Sequence, residues 1–102
     1  MSYDVSLWVP QEVDVLDWNY TSNCSPMWRE AGADLAEFHG KTARECLPFV
    51  YRAIAKMKAE PEKYDAMNPP NGWGSRESLV EALEGMAMVL EQHPDGKITV
   101  SR

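Results

Sequence analysis

Two aromatic, amide-rich segments contain the residues of this chain that are best suited to recognition chemistry. The first is residues 17–28 (DWNYTSNCSPMW), and the second is residues 68–74 (NPPNGWG). Together they hold three of the four tryptophans. Aromatic faces stack on planar rings, and each asparagine amide offers a donor beside an acceptor. The two segments therefore predict a site that recognises the face and edge of a base or a sugar.

Six residues are our candidates for contacting a ligand or a partner. They are Trp8, Trp18, Asn19, Tyr20, Asn71 and Trp73. A structural interpretation competes with this one, because a tryptophan from each segment can also fill the gap between a sheet and its helices. Trp28 favours that interpretation, since it falls on the apolar stripe of a predicted helix. For the residues of the two segments, binding and bracing both remain open.

Catalytic chemistry has one candidate set in the sequence. Cys24, His39 and Asp17 have the residue types of an activated thiol nucleophile, although no spacing rule brings them together. We expect a protein that binds without catalysis, and the Cys24 set remains a third alternative. A buried Cys24 in apolar packing would argue against it.

The residues that could form metal or phosphate motifs have simpler structural explanations. Asp4, Asp14 and Asp17 could meet across a hairpin, but outward carboxylates on a solvated strand are the usual pattern, so we predict neither a metal site nor a cofactor. The run Gly40-Lys41-Thr42 matches only the end of a phosphate-binding loop, since Leu35 stands where that motif needs glycine. We interpret it as a helix end followed by a helix cap.

Composition restricts the partners. The chain has 102 residues, with 10 Lys and Arg against 16 Asp and Glu, which gives a formal net charge of −6 and a pI near 4.8. Direct binding to DNA or RNA is disfavoured, because phosphate contacts depend on clustered Lys and Arg. An acidic surface instead suits a basic surface on another protein.

Two further sequence features predict the cellular compartment and the state of the two cysteines. No apolar stretch approaches the roughly 20 residues that span a bilayer, and the N-terminus does not resemble a signal peptide. We therefore expect a cytoplasmic protein without a membrane partner, in which Cys24 and Cys46 are free thiols.

Three segments alternate as strands do. Residues 3–9 place Tyr3, Val5 and Leu7 on one face, and residues 97–101 follow a Pro-Asp-Gly turn signal. Residues 12–18 alternate until Val15 and Leu16 and then change phase, which predicts a hairpin partner strand that either has a bulge near Leu16 or is buried on both faces at its end.

Helical periodicity fills the region between the second and third strands. Ser25 and Pro26 predict a helix start, with the helix ending at about Phe38. Thr42 and Glu45 form a capping box for a second helix that contains Pro48. A short turn is expected over residues 61–67, and Ser75 caps a last helix.

These elements predict one α+β domain over residues 1–102. A small three-stranded antiparallel sheet, made of the N-terminal hairpin and the C-terminal strand, would carry about three helices on one face. The other face would hold Trp8 with Trp18 or Tyr20. An exposed aromatic patch of that kind suits an interface, and homodimerisation is the simplest one.

Five segments also resemble a known group of proteins. They are residues 3–8 (YDVSLW), 19–23 (NYTSN), 25–29 (SPMWR), 66–74 (AMNPPNGWG) and 100–102 (VSR). In these the chain is similar to small proteins of actinobacterial phages and their hosts, a group with no assigned activity. The resemblance covers almost the whole chain and implies an origin without a mechanism.

The resemblance implies an accessory protein that acts by binding. Our leading hypothesis is a non-enzymatic phage-type protein that binds a host protein, such as a host defence or nucleic-acid-handling factor. The first alternative is a small-ligand binder in which Trp18, Tyr20 and Trp73 stack a nucleotide-like ring while Asn19 and Asn71 read its edges. A convergent pocket would favour the ligand, and a flat acidic, aromatic surface would favour the protein partner.

Overall fold

Strand β1 (Ser2–Val9) organises the sheet, because it pairs antiparallel with each of the other strands. This computed structural model describes residues 2–9 and 13–102. On one side β1 pairs with β4 (Lys97–Ser101), and on the other with β2 (Val13–Asp14) and β3 (Trp18–Thr21). The predicted α+β class is confirmed, with four strands where the sequence predicted three. The hairpin turn at residues 10–11 and the expected strand start at residue 12 lie outside the described residues.

The fourth strand arises because the second strand of the hairpin is divided. Trp8 lies opposite Asp14 and Val5 lies opposite Trp18, so a step of three residues in β1 faces a step of four in its partner. This extra residue is a bulge, which is one of the two structures that the change of phase near Leu16 predicted.

The carboxylate of Asp14 completes the hydrogen bonding at the bulge. Its Oδ1 accepts from the backbone N–H of Leu7 at 3.1 Å and from that of Leu16 at 3.0 Å. The N–H of Val15 donates to the carbonyl of Leu7 at 2.9 Å. One side chain therefore serves amides on both sides of the interruption.

The bulge decides which face the following side chains occupy. A shift of one residue moves every later side chain to the other face of a sheet. Trp18 and Tyr20 consequently lie opposite Val5 and Tyr3 on the core face. Our expectation that one of them joins Trp8 on the outer face was wrong for this reason. Trp8 is 40% exposed.

The first helix is shorter than the sequence predicted. Helix α1 (Ser25–Ala31) ends at Gly32, whose φ of 103° is left-handed and whose N–H bonds to the carbonyl of Arg29 at 3.0 Å. A 3₁₀ turn (Leu35–Phe38) follows, so Leu35 and Phe38 are buried without a continuous helix. The cap is also different, because Thr21 caps a 3₁₀ turn (Ser22–Cys24) that leads into α1.

The remaining helices agree with their sequence signals. Thr42 and Glu45 form the predicted capping box of α2 (Ala43–Ala59), which continues through Pro48. Helix α3 (Pro61–Asp65) is one short turn, and Ser75 caps α4 (Arg76–Gln92). Helices α2 and α4 pack together, and their apolar faces join the core face of the sheet.

The outer edge of β4 is covered by the chain that leads into α2. The N–H of Ile98 donates to the carbonyl of Lys41, and the N–H of Gly40 donates to the carbonyl of Ile98, both at 2.8 Å. His39 Nδ1 accepts from the N–H of Val100 at 2.9 Å. This edge is therefore protected from pairing with another strand.

Two further sequence expectations can be compared with the structure. Cys24 and Cys46 are both buried and both free thiols. In the described ranges, 2–9 and 13–102, no helix is both long and apolar enough to cross a membrane.

The bulge yields a test of what holds the sheet together. Asp14→Ala leaves the amides of Leu7 and Leu16 without their acceptor, so we expect the free energy of unfolding to fall by about 1–3 kcal/mol. Asp14→Asn keeps a carbonyl oxygen and should lose less. Urea unfolding measures both, with Asp17→Ala in the same bulge as the control. Equal stability of Asp14→Ala and Asp17→Ala would contradict this role.

Candidate functional site

A concave pocket forms where the two aromatic, amide-rich segments meet beside the end of β1. We call it the amide pocket, and its volume is about 550 Å³. Its lining residues are Ser2, Asn19, Tyr20, Thr21, Asn23, Asn71 and Trp73. Pockets that hold small molecules occupy about 300–1,000 Å³, so this one has the size for a metabolite.

Four of the six predicted site residues converge here. They are Asn19, Tyr20, Asn71 and Trp73. The other two predicted residues lie outside this pocket. Trp18 is buried in the core, where its indole N–H donates to the carbonyl of Ala82 in α4 at 2.8 Å. Trp8 lies on the outer face of the sheet, and its indole N–H donates to Thr99 Oγ1 at 3.0 Å.

Asn19 is oriented by two neighbours. Its amide nitrogen donates to Asp4 Oδ1 at 2.7 Å and to Ser2 Oγ at 3.1 Å. Because both bonds use the nitrogen, they fix the amide plane without consuming the carbonyl oxygen. Asn19 therefore presents an oriented acceptor.

Tyr20 links the pocket to the core and to α4. Its ring stacks on Trp18 with centroids 6.0 Å apart, and it meets Trp28 edge to face at 6.4 Å. Its hydroxyl accepts from the N–H of Ser75 at 3.3 Å and forms a short bond with Ser78 Oγ. Burial is the main cause that raises the pKa of Tyr20, so this hydroxyl stays protonated.

The loop that carries Trp73 has a fixed backbone. Asn71 Oδ1 accepts from the N–H of Trp73 at 3.0 Å, and the N–H of Gly72 donates to the carbonyl of Pro69 at 3.3 Å. The Trp73 side chain is nevertheless 67% exposed. An indole with so little burial, on a backbone held by hydrogen bonds, is available to a ligand. Asn71 uses its oxygen in this turn, and its amide nitrogen is not consumed by it.

Gly74 joins the loop to the first segment. It has a φ of +92°, and a Cβ added there would lie 2.7 Å from Cys24 Sγ and 2.9 Å from Thr21 Cγ2. Only glycine permits both that backbone conformation and that approach. The two walls of the amide pocket are therefore in direct contact.

Other residues of the two segments brace the fold. Trp28 is completely buried in the core. Asn68 Oδ1 accepts from the N–H of Arg76 at 2.7 Å, and Arg76 pairs with Asp65 at 2.7 Å. The two interpretations therefore apply to different residues. Trp18, Trp28 and Asn68 stabilise the fold, whereas Trp73 is exposed to solvent.

The residues proposed for thiol catalysis have separate surroundings. Cys24 is fully buried in the apolar core, and burial raises the pKa of its thiol, while a nucleophilic cysteine needs a lowered pKa. The polar contact of Cys24 is the hydroxyl of Tyr20, and the imidazole of His39 bonds to the backbone of β4. The hydrogen bond with Tyr20 lowers the pKa of Cys24, but burial outweighs it and the net shift in this pKa is upward.

The three aspartates of the hairpin are occupied in part by other bonds. Asp4 accepts from Asn19, and Asp14 accepts from the amides of the bulge. Among residues 2–9 and 13–102, no group of three or more His, Cys, Asp or Glu side chains is placed to hold a metal ion.

Sequence reasoning missed Ser2 and Thr21 as lining residues. Ser2 lies directly opposite Thr21 in the sheet register, so both reach the same end of the hairpin. The register was the signal that could have found them, and it depends on the position of the bulge.

Comparisons with protein-family models, with curated proteins and with solved structures give no match.

Thiol chemistry tests the surroundings of the two cysteines. Burial raises the pKa of Cys46 to about 11, and it also raises the pKa of Cys24. Because only the thiolate reacts, and because both thiols are buried, alkylation by iodoacetamide at pH 8 should be at least about 100-fold slower in the folded protein than in urea. Peptide mass spectrometry separates the two sites. Rapid native alkylation of Cys24 would contradict its inert role and restore the thiol-enzyme alternative.

A pair of glycine variants tests the contact between the walls. Gly74→Ala and Gly72→Ala both place a side chain at positive φ, but the Cβ at position 72 meets no atom within 4 Å. We expect Gly72→Ala to lose about 1–2 kcal/mol of unfolding free energy from backbone strain alone. Gly74→Ala should lose at least about 1 kcal/mol more from overlap with Cys24 and Thr21. Equal losses in urea unfolding would show that the close approach is absent.

Proposed function

We propose that this protein is a non-enzymatic binding protein whose amide pocket takes up a small molecule with a flat, polar ring, and that the ring is a nucleobase. The observation that carries the proposal is the exposed Trp73 indole, which lines the same pocket as asparagine and tyrosine side chains.

Stacking is the first contribution to binding. The N–H bond to Asn71 and the close approach at Gly74 fix the backbone on both sides of Trp73. A base stacked on an aromatic side chain contributes about 1–3 kcal/mol. The pocket therefore offers a stacking surface whose backbone is ordered before the ligand arrives, which lowers the entropic cost of binding.

Edge recognition is the second contribution. Asn19 keeps its carbonyl oxygen as an acceptor, and Asn71 keeps its amide nitrogen as a donor, because their structural bonds use the opposite atoms. Asn23 adds another amide to the lining. Alternating donors and acceptors match the edge of a base. None of the described lining residues has a charged side chain, which suits a neutral ring.

Convergence of these groups favours a small ligand over a protein partner. A protein surface usually contacts exposed anchors on a flat or convex patch, whereas ligand sites are concave with a few placed polar groups. The structure has four predicted residues in one concavity. An accessory protein that sequesters a small signalling molecule fits this arrangement.

A host protein remains the second candidate, supported by a different surface. At one corner of the sheet, Trp8 is 40% exposed and Val13 is 52% exposed. An aromatic anchor on an acidic protein would suit a partner with a basic surface. This corner is separate from the amide pocket, so the two candidates are tested by different tryptophans.

Two tryptophan variants form the test. Trp73→Ala should weaken nucleoside binding by about 5- to 150-fold, since it removes the stacking surface. Trp8→Ala is the matched control, because it removes another exposed indole outside the pocket, and it should bind as the unaltered protein does. Isothermal titration calorimetry with the four common ribonucleosides measures both, after unfolding curves establish that each variant is folded.

The outcomes separate the candidates. Unchanged binding by Trp73→Ala, or an equal loss in Trp8→Ala, would contradict the site. Absence of binding to any nucleoside would contradict the proposal that the ligand is a nucleobase. Native mass spectrometry of the purified protein, before and after denaturation, would identify a ligand that copurifies with it.

A further inference from the structure

A second cavity adjoins the amide pocket and differs from it in chemistry. We call it the hydroxyl pocket, and its volume is about 410 Å³. Its lining residues are Ser2, Tyr3, Ser22, Ser25 and Arg102. Ser2 lines both cavities, so the two linings meet at this residue.

We propose that the two cavities form one site for a nucleoside monophosphate, with the base in the amide pocket and the phosphate in the hydroxyl pocket beside Arg102. This inference rests on the proposed function, because it assigns the base to the amide pocket. It adds the anionic group and the residue that recognises it.

The side chains of the hydroxyl pocket are those that bind phosphate. The hydroxyls of Ser2, Ser25 and Tyr3 can donate to phosphate oxygens, and the guanidinium of Arg102 adds charged donors in a planar fork. Among the described residues of this lining, no side chain is acidic. They combine hydroxyl donors with one cationic side chain, in contrast to the acidic composition of the whole chain.

Arg102 is oriented by Tyr3. Its Nη1 donates to the Tyr3 hydroxyl at 3.3 Å, and its guanidinium carbon lies 5.9 Å from the centroid of the Tyr3 ring. Tyr3 is itself buried and packs edge to face on Trp28 at 4.9 Å. A buried ring therefore supports the cation at the mouth of the cavity. The bond to Tyr3 uses one of the five N–H donors of the guanidinium, which leaves others for a phosphate.

Arg102 also differs from most of the other arginines in its pairing. Arg29, Arg44 and Arg76 each form a salt bridge with an aspartate. Within the described part of the chain, no carboxylate side chain pairs with Arg102. Its charge is consequently not neutralised by a side chain and can serve a ligand.

Net charge opposes an anionic ligand only at a distance. The formal charge of −6 is spread over the whole chain, and charges farther apart than about 8 Å are largely screened at physiological ionic strength. Asp4 lies opposite Ser101 in the sheet register, and its carboxylate accepts from Asn19. We expect the Arg102 guanidinium to supply the local attraction for the phosphate, and the strength of this contact should fall as salt is added.

The experiment compares nucleosides, their 5′-monophosphates and inorganic phosphate by calorimetry on the full chain. We expect a monophosphate to bind at least about tenfold more tightly than its nucleoside. Arg102→Gln should abolish this gain and leave nucleoside affinity unchanged, while Arg102→Lys should retain part of it. Arg52→Gln is the matched control, because Arg52 also lies over an aromatic ring, that of Phe49, outside both cavities.

Each result bears on a separate claim. Equal affinity for nucleoside and monophosphate would overturn the phosphate assignment and leave the proposed function intact. A gain that survives Arg102→Gln would also overturn it. Inorganic phosphate binding as tightly as the monophosphates would overturn the assignment of one joined ligand, and no binding of any nucleoside or nucleotide would overturn both proposals. We expect the gain in affinity of the monophosphate over its nucleoside, about tenfold or more, to be lost in 0.5 M salt, because salt screens the attraction to Arg102.

Discussion

The extra residue in the second strand of the hairpin decides which side chains the rest of the molecule can use. It turns Trp18 and Tyr20 toward the core, where they pack beside Tyr3 and Trp28. Without it, alternation would place these rings on the outer face beside Trp8. The carboxylate of Asp14 satisfies the amides that the interruption leaves over, so the bulge is a defined structure. The amide pocket depends on the bulge, because the bulge turns the side chain of Tyr20 toward the core face.

Tyr20 connects the sheet to the amide pocket. Its ring belongs to the core, and its hydroxyl bonds to the cap of α4, 55 residues away in the chain. Gly74 brings the second segment to within van der Waals contact of the same tyrosine and of Cys24. The pocket walls are therefore fixed by interactions that also stabilise the fold, and Trp73 can be exposed because its backbone needs no burial of the indole to stay in place.

Much of the fold could be predicted from local signals. The alternation of β1 and β4 and the caps at Thr42 and Ser75 depend on side chains within a few residues of the backbone they serve, so the sequence specifies them directly. The end of α1 was misplaced, because Gly32 ends the helix while Leu35 and Phe38 keep an apolar spacing that a 3₁₀ turn also satisfies. Periodicity alone does not distinguish the two.

The candidate site was likewise predictable from the sequence only in part. By itself the sequence identified the side chains suited to recognition, and Asn19, Tyr20, Asn71 and Trp73 do meet in one pocket. Only the tertiary structure decided that Trp18 faces the core, that Cys24 is buried, and that Arg102 comes beside Ser2. Residue type is a local property, whereas burial and adjacency depend on strand register and on contacts between distant segments, which a pattern of neighbouring residues does not contain.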